Sequence, residues 1–432
     1  MTTINGRSIP PGRLEGNIRV PSSKSITHRA AILAALSRRP TRIAHPLECE
    51  DTLYTLKALE TLGYEFERRW DAWVFTGKYQ RPSAPVHIFV GNSGTTARLI
   101  TAFAALQPIE STIDGTPRMR RRPMSPLIRA LKTLQISLDD TNGSLPLRIR
   151  GGRPKGNIVE VDATTSSQYL SALMLIAPFL PGGLTLVPTG NVVSRAYVRL
   201  TMELLHRVGI EVYEDSQGYR IQEVSTLNMG TLDVEGDVSS ASYFLIGAAI
   251  SGGWVQILNV GTSSIQGDRE IFSILAAAGA QVEAGGNNVR VAANPLRAID
   301  WDMEECPDLV PGVAIMALFS RGRSRLRKVQ HLRFKESDRI EAIIQNIRRL
   351  GGRALMEGGD LLVHSGVRSG ASIHSFNDHR IAMSFALAGL RLPGVVIEQP
   401  ECVAKSYPGF WQDLIRLHRP VSEGEHLPKE KI

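Results

Sequence analysis

The sequence predicts an α/β protein of two similar domains, each made of three βαβαββ repeats around buried parallel helices. Three observations predict this fold class. The chain has 432 residues, which is more than one hydrophobic core usually serves. Short strand-like runs recur at a steady interval before helix starts, which is typical of a repeated structural unit. The helices that follow are apolar on nearly every face and rich in small residues, as expected in a core.

The repeat interval is regular enough to place six units. Successive helix starts lie 69 or 73 residues apart. A core helix such as SSASYFLIGAAISG is followed in each unit by a second strand and then by an amphipathic helix. Two short strands joined by a turn finish most units, which gives the order βαβαββ. The six helix starts are at Lys24, Ser93, Ser166, Ser239, Asp308 and Asn377.

Six units divide most simply into two sets of three. The polar stretch at residues 223–230 predicts one crossing between the sets, and we expect domains at residues 19–231 and at 1–18 plus 232–432. If the domains face each other, six helix N-termini point into one cleft, where helix dipoles and free amide groups favour anions. The alternative is a repeat that only builds a scaffold.

The amino-acid composition limits the class of binding partner. The chain is 43% hydrophobic and 21% charged, as in ordinary globular proteins. Its net charge of +8 suits either nucleic acid or small acidic substrates. Aromatic residues make up only 6% and do not alternate with basic residues as a base-stacking surface requires, which favours small anions. We therefore expect no nucleic-acid partner. Separately, a monomer is expected.

Neither a metal nor a membrane is indicated by sequence patterns. Cys49, Cys306 and Cys402 lack metal-ligand spacing, and H-E-x-x-H and EF-hand patterns are absent. There is no G-x-S-x-G nucleophile motif. No apolar run reaches the roughly 18 residues of a membrane span, and the N-terminal residues do not have a signal-peptide pattern. We expect a cytoplasmic protein.

The stretch LRFKESDRIEAIIQNI, residues 332–347, places four charges at the start of a predicted helix. Ser337 is the predicted N-cap. Arg339 then lies in the first turn, where the helix dipole disfavours a cation by about 0.3–1 kcal/mol. This pattern indicates either a solvated charge cluster or an anion site with a carboxyl acid or base beside it.

Other helix starts carry the same kind of residue, which favours the anion site. Arg380 repeats the first-turn mismatch, and the glycine-bearing turn at residues 91–96 lets the backbone approach an anion closely. Asp308 and Glu336 are then candidates for moving protons. Seven basic residues lie at helix beginnings or in the turns before them: Lys24, Arg29, Arg118, Lys335, Arg339, Arg380 and Lys405.

Nine motifs resemble, in the same order, those of the 5-enolpyruvylshikimate-3-phosphate synthase family. They span residues 21–410: PSSKSITHRA, GNSGTTARL, DGTPRMRRRPM, SSQYLSALML, EGDVSSASYF, PDLVPGVAIMAL, LRFKESDR, NDHRIAM and AKSYPGF. The resemblance implies the enolpyruvyl transferase inside-out barrel fold, with the chain crossing twice between the domains. Shikimate 3-phosphate would lie on the side of the domain at 19–231 and phosphoenolpyruvate on the other, with the active site in the cleft between them.

The resemblance also implies a reaction and a set of site residues. The carboxyvinyl group of phosphoenolpyruvate would pass to the 5-hydroxyl of shikimate 3-phosphate through a tetrahedral adduct, with release of phosphate and no metal or organic cofactor. Asp308 would take the hydroxyl proton, Glu336 would protonate the methylene carbon and later take a proton back, and Lys24 would help the departing phosphate. Shikimate 3-phosphate would contact Lys24, Ser25, Arg29, Ser166, Ser167, Ser194, Tyr197, Asp308, His331 and Lys335. Phosphoenolpyruvate would contact Lys24, Asn92, Gly94, Arg118, Gln168, Arg339, Arg380 and Lys405.

The chain departs from the family's pattern at a few positions. His331 stands where many members of the family have Asn, and Leu99 stands where a proline is common in the family. The basic run at residues 120–122 is denser than the motif needs.

Two rival functions give different expectations. The sister enolpyruvyl transferase that uses UDP-N-acetylglucosamine usually has a cysteine near DGTPRMRRRP, and here no cysteine lies between Cys49 and Cys306. A non-catalytic polyanion-binding protein would bind nucleic acid in a salt-sensitive way and tolerate replacement of Glu336.

Overall fold

The computed structural model describes residues 6–152 and 154–420. The chain forms two compact units. The central unit is Ser22–Glu235, and the terminal unit comprises the described residues up to Pro21 and from Gly236 onward. These boundaries lie three and four residues beyond the predicted boundaries after residues 18 and 231. The second shift keeps the strand Thr231–Asp233 whole within the central unit, where it pairs with Thr41–Ala44.

The described residues contain strands, α-helices and short 3-10 helices that follow the repeat. The strands are β1 Gly6–Ile9, β2 Gly12–Ile18, β3 Thr41–Ala44, β4 Tyr64–Arg69, β5 Ala72–Tyr79, β6 Val86–Phe89, β7 Glu110–Asp114, β8 Ser137–Thr141, β9 Ser144–Arg150, β10 Ile158–Asp162, β11 Leu184–Thr189, β12 Val212–Asp215, β13 Gly218–Ile221, β14 Thr231–Asp233, β15 Trp254–Ile257, β16 Gln281–Gly285, β17 Asn288–Ala292, β18 Asp300–Asp302, β19 Arg323–Arg327, β20 Arg353–Glu357, β21 Asp360–His364, β22 Ser372–Ile373, β23 Val395–Glu398 and β24 His418–Pro420. The α-helices are α1 Lys24–Leu36, α2 Glu50–Thr61, α3 Gly94–Ala105, α4 Ser125–Thr133, α5 Gln168–Ile176, α6 Arg195–Arg207, α7 Val238–Ser251, α8 Glu270–Ala278, α9 Val310–Leu318, α10 Arg339–Arg349, α11 His379–Gly389 and α12 Phe410–Leu417. The 3-10 helices are Met119–Arg121, Ala177–Phe179, Gly267–Arg269, Pro307–Leu309, Gln330–Phe334 and Pro400–Lys405.

The central unit contains three four-stranded sheets of one design. Their strand orders are β14-β3-β5-β4, β6-β7-β9-β8 and β10-β11-β13-β12. In each sheet the first two strands are parallel, and the remaining neighbours are antiparallel. In the second and third of these sheets a helix joins the parallel pair and a hairpin extends it, as in the predicted βαβαββ unit.

The terminal unit follows the same plan with one exception. Its sheets are β16-β17-β15-β2-β24, β18-β19-β21-β20 and β1-β23-β22. The last sheet has no hairpin, and the N-terminal strand β1 pairs antiparallel with β23 instead. The predicted α/β fold of repeated units is confirmed, and the sixth copy ends in α12 and β24 rather than in two paired strands.

At each of the two crossings, the strand before the core helix pairs in a different unit from the one that contains the helix. Strand β2 precedes α1 in the sequence but pairs parallel with β15, and β14 precedes α7 but pairs parallel with β3. The strand runs before these two helices therefore belong to different units from the helices they introduce.

Each unit is built around three helices that contact one another. These are α1, α3 and α5 in the central unit and α7, α9 and α11 in the terminal unit. All residues of α7 and of α9 are buried, which explains why their sequences lack a polar face. No helix in the described part of the chain is both long and apolar enough to cross a membrane.

Candidate active site

The first core helix of the central unit begins at Lys24, as predicted. Its ammonium group lies 3.0 Å from the carboxylate of Asp51, which is buried in the first turn of α2. The hydroxyl of Thr96, from α3, donates to the Asp51 carbonyl at 3.1 Å. The start of α2 is therefore tied to the neighbouring core helices, and its carboxylate fixes the end of the Lys24 side chain.

Arg29 lies one turn further along α1 and is only 2% exposed. Its guanidinium donates to the Thr201 hydroxyl at 2.7 Å, the Ser171 hydroxyl at 3.1 Å and the Ser25 carbonyl at 2.9 Å. The Tyr197 carbonyl accepts a longer bond of 3.4 Å. Within the described residues no carboxylate pairs with this cation. Burial lowers the pKa of Arg29 to about 10, so the folded unit holds a positive charge that only neutral groups support.

The turn before α3 brings two more guanidinium groups to the backbone. Arg98 donates to the Gly94 carbonyl at 3.1 Å, and Arg122 donates to the Asn92 carbonyl at 3.0 Å. A Cβ atom on Gly94 would lie 2.3 Å from a nitrogen of Arg122 and 2.5 Å from one of Arg98. Glycine is required here because the two buried arginines occupy the space that a side chain would fill. Ser93 caps this helix by accepting from the Thr96 amide at 3.3 Å.

The other predicted residues of the central unit lie at the starts of α5 and α6. Ser167 is the N-cap residue of α5, and Gln168 donates to the Thr95 hydroxyl at 3.1 Å. The Ser166 hydroxyl accepts from the Gln168 amide at 3.2 Å. Ser194 precedes α6 with left-handed backbone angles, φ 54° and ψ 44°, which are uncommon for a serine and occur often at functional sites. Arg118 is half-buried at the start of a 3-10 helix.

In the terminal unit, Arg339 is paired with three carboxylates. The guanidinium lies 2.9 Å from Asp378, 2.8 Å from Asp308 and 2.7 Å from Glu336, and its side chain is 1% exposed. Burial alone would lower the pKa of Arg339, but the three carboxylates outweigh burial and raise it. These contacts explain how a cation is kept in the first turn of α10 against the helix dipole.

Asp308 joins Arg339 to a second arginine. Its other carboxylate oxygen accepts from Arg380 at 2.6 Å, and Arg380 also donates to the Tyr243 hydroxyl at 3.2 Å. Burial alone would raise the pKa of Asp308, but the charges of Arg380 and Arg339 hold it well below its usual value. Asp308 is therefore ionised and hydrogen-bonded on both oxygens.

The N-cap of α10 differs from the prediction. The helix begins at Arg339 and is capped by Asp338, which accepts from the Glu341 amide at 3.1 Å. Ser337 was the predicted cap, and this prediction was wrong. Its hydroxyl instead donates to Asp378 at 3.0 Å, because Asp378 is a buried carboxylate that needs donors.

The remaining predicted residues of the terminal unit lie in turns. His331 is 5% exposed in the 3-10 helix before Lys335. Burial and then the charge of Lys335 lower the pKa of His331 to about 3, so its imidazole is neutral at pH 7. Lys405 is 5% exposed and ends the 3-10 helix before α12.

Asp268 is a further buried acid near this network and lies outside the predicted set. Its carboxylate accepts from the Ser239 hydroxyl, and one of its oxygens is buried without a hydrogen-bond partner in the described residues. Burial and then the charge of Asp308 raise the pKa of Asp268 to about 7. No local pattern could have predicted this residue, since the position of its loop depends on packing against α7.

Two other acids that hold site cations lie outside the predicted set, and both have sequence signals. Asp51 shares the buried face of α2 with Thr55, Ala58 and Leu59, a helical spacing that marks it as inward-facing. Asp378 is the N-cap residue of α11 and lies two positions before Arg380.

Of the predicted residues, the structure joins Asp308, Glu336, Arg339 and Arg380 in one network of ion pairs in the terminal unit. In the central unit it joins Arg29 to the carbonyl groups of Ser25 and Tyr197.

The chain was compared with known protein families and sequences. A sequence model of the EPSP synthase (3-phosphoshikimate 1-carboxyvinyltransferase) family matches residues 9–414. A 3-phosphoshikimate 1-carboxyvinyltransferase from Syntrophobacter fumaroxidans is 39% identical over 417 residues, covering 94% of this chain and 98% of the relative. One from Klebsiella pneumoniae is 36% identical over 420 residues, covering 94% and 97% of the two chains.

Solved structures give a similar result. A structure of EPSP synthase from Acinetobacter baumannii matches with a TM-score of 0.79 and 27% sequence identity. The match covers 96% of this chain and 98% of that chain.

Proposed function

The chain belongs to the EPSP synthase (3-phosphoshikimate 1-carboxyvinyltransferase) family, and we propose that Asp308, Glu336 and Lys24 carry the reaction that defines this family. That reaction transfers the enolpyruvyl group of phosphoenolpyruvate to the 5-hydroxyl of shikimate 3-phosphate and releases phosphate. It is a step in the biosynthesis of chorismate and the aromatic amino acids. Residues of both units act on the same pair of substrates in this proposal.

The assignment of shikimate 3-phosphate to the central unit rests on Arg29. Its charge is buried and is supported only by hydroxyl and carbonyl groups. An anionic group of the substrate supplies the missing counter-charge, and a hydrogen bond between charged groups strengthens in such a dry site. Hydroxyl donors at nearby helix starts complete the proposed site: Ser25, Ser166, Ser167 and Ser194, with Tyr197 beside the ring.

Phosphoenolpyruvate is assigned to cations of both units. Arg339 and Arg380 each have a planar guanidinium that can hold a carboxylate or phosphate through two hydrogen bonds. Lys405 adds a point charge, and the Gly94 turn offers backbone amides. Arg118, Gln168 and Asn92 complete this proposed set.

Asp308 is the proposed base for the 5-hydroxyl. In the protein without substrate, Arg339 and Arg380 hold its pKa far too low for it to accept a proton readily. The anionic groups of phosphoenolpyruvate compete for the same two guanidinium groups. Substrate binding therefore weakens the hold on Asp308 and raises its pKa toward the range of a working base. Lys335 and His331 lie close to this carboxylate and are proposed to contact shikimate 3-phosphate.

Glu336 is the proposed acid and base at the methylene carbon. Donating a proton there makes the neighbouring carbon electrophilic, and the 5-oxygen, having given its proton to Asp308, forms the new C–O bond. In the second step Glu336 takes a proton back from the new methyl group, the double bond reforms, and the bond from carbon to the phosphate oxygen breaks. Lys24 stabilises the charge on the departing phosphate.

Three properties stay predictions from the sequence: a monomeric state, a cytoplasmic location and the absence of a nucleic-acid partner. Closure of the two units on the substrates is part of the proposal.

The direct test is release of inorganic phosphate by the purified protein. Phosphoenolpyruvate is supplied with shikimate 3-phosphate, with UDP-N-acetylglucosamine, or alone. We expect phosphate only with shikimate 3-phosphate. Release with UDP-N-acetylglucosamine, or equal release without an acceptor, would overturn the substrate assignment.

A further inference from the structure

The outer face of the sheet β18-β19-β21-β20 carries an uneven distribution of charge. Strand β19 alternates between exposed and buried residues, so that its three arginines all point away from the core. Antiparallel pairing with β21, and of β21 with β20, places residues of all three strands in rows across this face.

At one end of the face, arginines are matched by acids. Arg325 lies 2.6 Å from Asp360, and Arg327 lies 3.0 Å from Asp300. Both pairs join neighbouring strands; the pair of Arg327 is exposed, whereas Arg325 reaches a largely buried carboxylate.

At the other end, three basic residues form one row, which we call the cationic row. Arg323 on β19 and Arg353 on β20 both lie directly opposite His364 on β21. Side chains opposite each other on an antiparallel pair have Cβ atoms about 5 Å apart. Both arginines are exposed and His364 is half-buried between them. Within residues 6–152 and 154–420, no member of the row pairs with a carboxylate.

The two arginines lie on the strands either side of His364, so each of them disfavours a positive charge on the imidazole. The pKa of His364 reflects this effect. Burial and then the charges of Arg353 and Arg323 lower the pKa of His364. The same face supplies carboxylates to Arg325 and Arg327, so the lack of an acid partner is confined to this row.

We propose that the cationic row of Arg323, His364 and Arg353 is a second anion site, which binds a compact phosphate-type dianion such as inorganic phosphate or a phosphate monoester. Two guanidinium forks and one imidazole can donate to the three outer oxygens of such a group. An extended polyanion fits less well, because the carboxylates of Asp360 and Glu357 lie along the same face and would repel it. The site lies on the sheet face away from the helices and does not depend on the proposed reaction.

Occupancy and protonation are coupled at this site. A bound dianion offsets the two arginine charges and therefore raises the pKa of His364. By reciprocity, the dianion binds more tightly as the pH falls through the pKa of the imidazole and the row gains a third charge.

The test follows the His364 ring proton by NMR in the full-length protein, with its signal assigned from a His364→Gln variant. Inorganic phosphate is titrated at constant ionic strength, with chloride as the balancing salt. We expect saturable shifts and a higher His364 pKa in phosphate than in chloride. Arg323→Ala and Arg353→Ala should each weaken phosphate binding by about fivefold, the range of a single exposed charge pair. Arg325→Ala is the matched control, because its arginine lies on the same strand and face but is paired with Asp360.

The local signal separates this site from any phosphate bound elsewhere on the protein. Equal responses to phosphate and chloride would overturn the proposal, as would an effect of Arg325→Ala as large as that of Arg323→Ala. Binding of an oligonucleotide at this signal without binding of phosphate would show a polyanion surface instead. Phosphate release from the two substrates should be unchanged in all three alanine variants.

Discussion

Arg29 in the central unit and Arg339 in the terminal unit are both buried, at 2% and 1% exposure, yet they have opposite surroundings. Hydroxyl and carbonyl groups surround Arg29, and its pKa is lowered to about 10. Three carboxylates surround Arg339, and its pKa is raised. Among the residues that the structure describes, the central unit thus keeps a buried cation without a carboxylate partner, while the terminal unit uses a buried cation to hold acids in place.

The difference has an energetic meaning. Burying a charge costs several kcal/mol unless a partner compensates it. Arg339 is compensated by the protein itself, so its removal should damage the fold. Arg29 is not, and a compensating anion from a substrate would explain why the charge is kept. The two arginines should therefore respond in opposite ways when they are replaced.

The largest expected effect is on catalysis, through an acid that Arg339 holds. Replacing Glu336 by Gln keeps a hydrogen-bond acceptor for Arg339 but removes the proton-transfer group. We expect phosphate release to fall by about 10²–10⁴-fold, the usual contribution of a general acid or base. Glu341→Gln, an exposed residue one turn further along α10, is the control and should retain activity. An active Glu336→Gln variant would exclude the proposed role.

The next effect is on stability. Replacing Arg339 by Met leaves Asp308, Glu336 and Asp378 buried without their shared cation. Breaking a buried charge network in this way costs about 3–5 kcal/mol, which should appear in the free energy of unfolding measured with urea. The control is Arg333→Met, which removes the partly exposed pair with Asp338 and should cost less than about 1 kcal/mol. Equal losses would mean that the network contributes no more than a surface pair.

The same network predicts a dependence of stability on pH. Lowered pKa values for Asp308 and Asp378 in the folded state contribute stability that is fully present above the ordinary carboxyl pKa of about 4. That stability is lost as the pH falls below about 4 toward the folded-state values. Urea unfolding between pH 7 and pH 3 should show this loss in the wild-type protein and a smaller loss in Arg339→Met. Parallel curves for the two proteins would contradict the prediction.

A smaller effect is expected at Asp51, an acid that supports a site cation in the central unit. Asp51→Asn removes the charge that lies 3.0 Å from the Lys24 ammonium group but keeps the size of the side chain. We expect kcat/KM to fall by about tenfold, the value of one charge-assisted hydrogen bond. Glu50→Gln changes the exposed neighbouring residue and should have no effect. A loss as large as that of Glu336→Gln would show that Asp51 takes part in the chemistry itself.

Much of the fold could be predicted because its determinants are local and repeated. Core helices such as α7 can be recognised in the sequence by apolar residues on every face, and their starts recur at a fixed interval. The predicted bounds placed β2 with the terminal domain, but the pairing of β14 with β3 was missed, because β14 looks like the first strand of the unit that follows it. Only pairing at long range decides which sheet receives each strand.

Less of the candidate site than of the fold could be predicted from the sequence. The first-turn cations Arg339 and Arg380 indicated charged partners because a first-turn arginine needs compensation, and both arginines do pair with carboxylates. The partner Asp378 could not be identified from the sequence. Asp378 and Ser337, which donates a hydrogen bond to it, both resemble ordinary helix caps. Asp268 could not be found at all, because its burial results from the packing of its 3-10 helix against α7. The roles of His331, Arg118 and Tyr197 toward substrates stay predictions.

The most direct test of the contrast between the two arginines is urea unfolding of Arg29→Met with and without shikimate 3-phosphate. Without ligand, we expect the variant to be at least as stable as the wild type, because the hydroxyl groups of Thr201 and Ser171 still bond to each other. With ligand at about 100 times its wild-type Kd, the wild type should gain about 2.7 kcal/mol and the variant much less. A variant that is destabilised without ligand, or that gains as much from shikimate 3-phosphate as the wild type, would contradict the account.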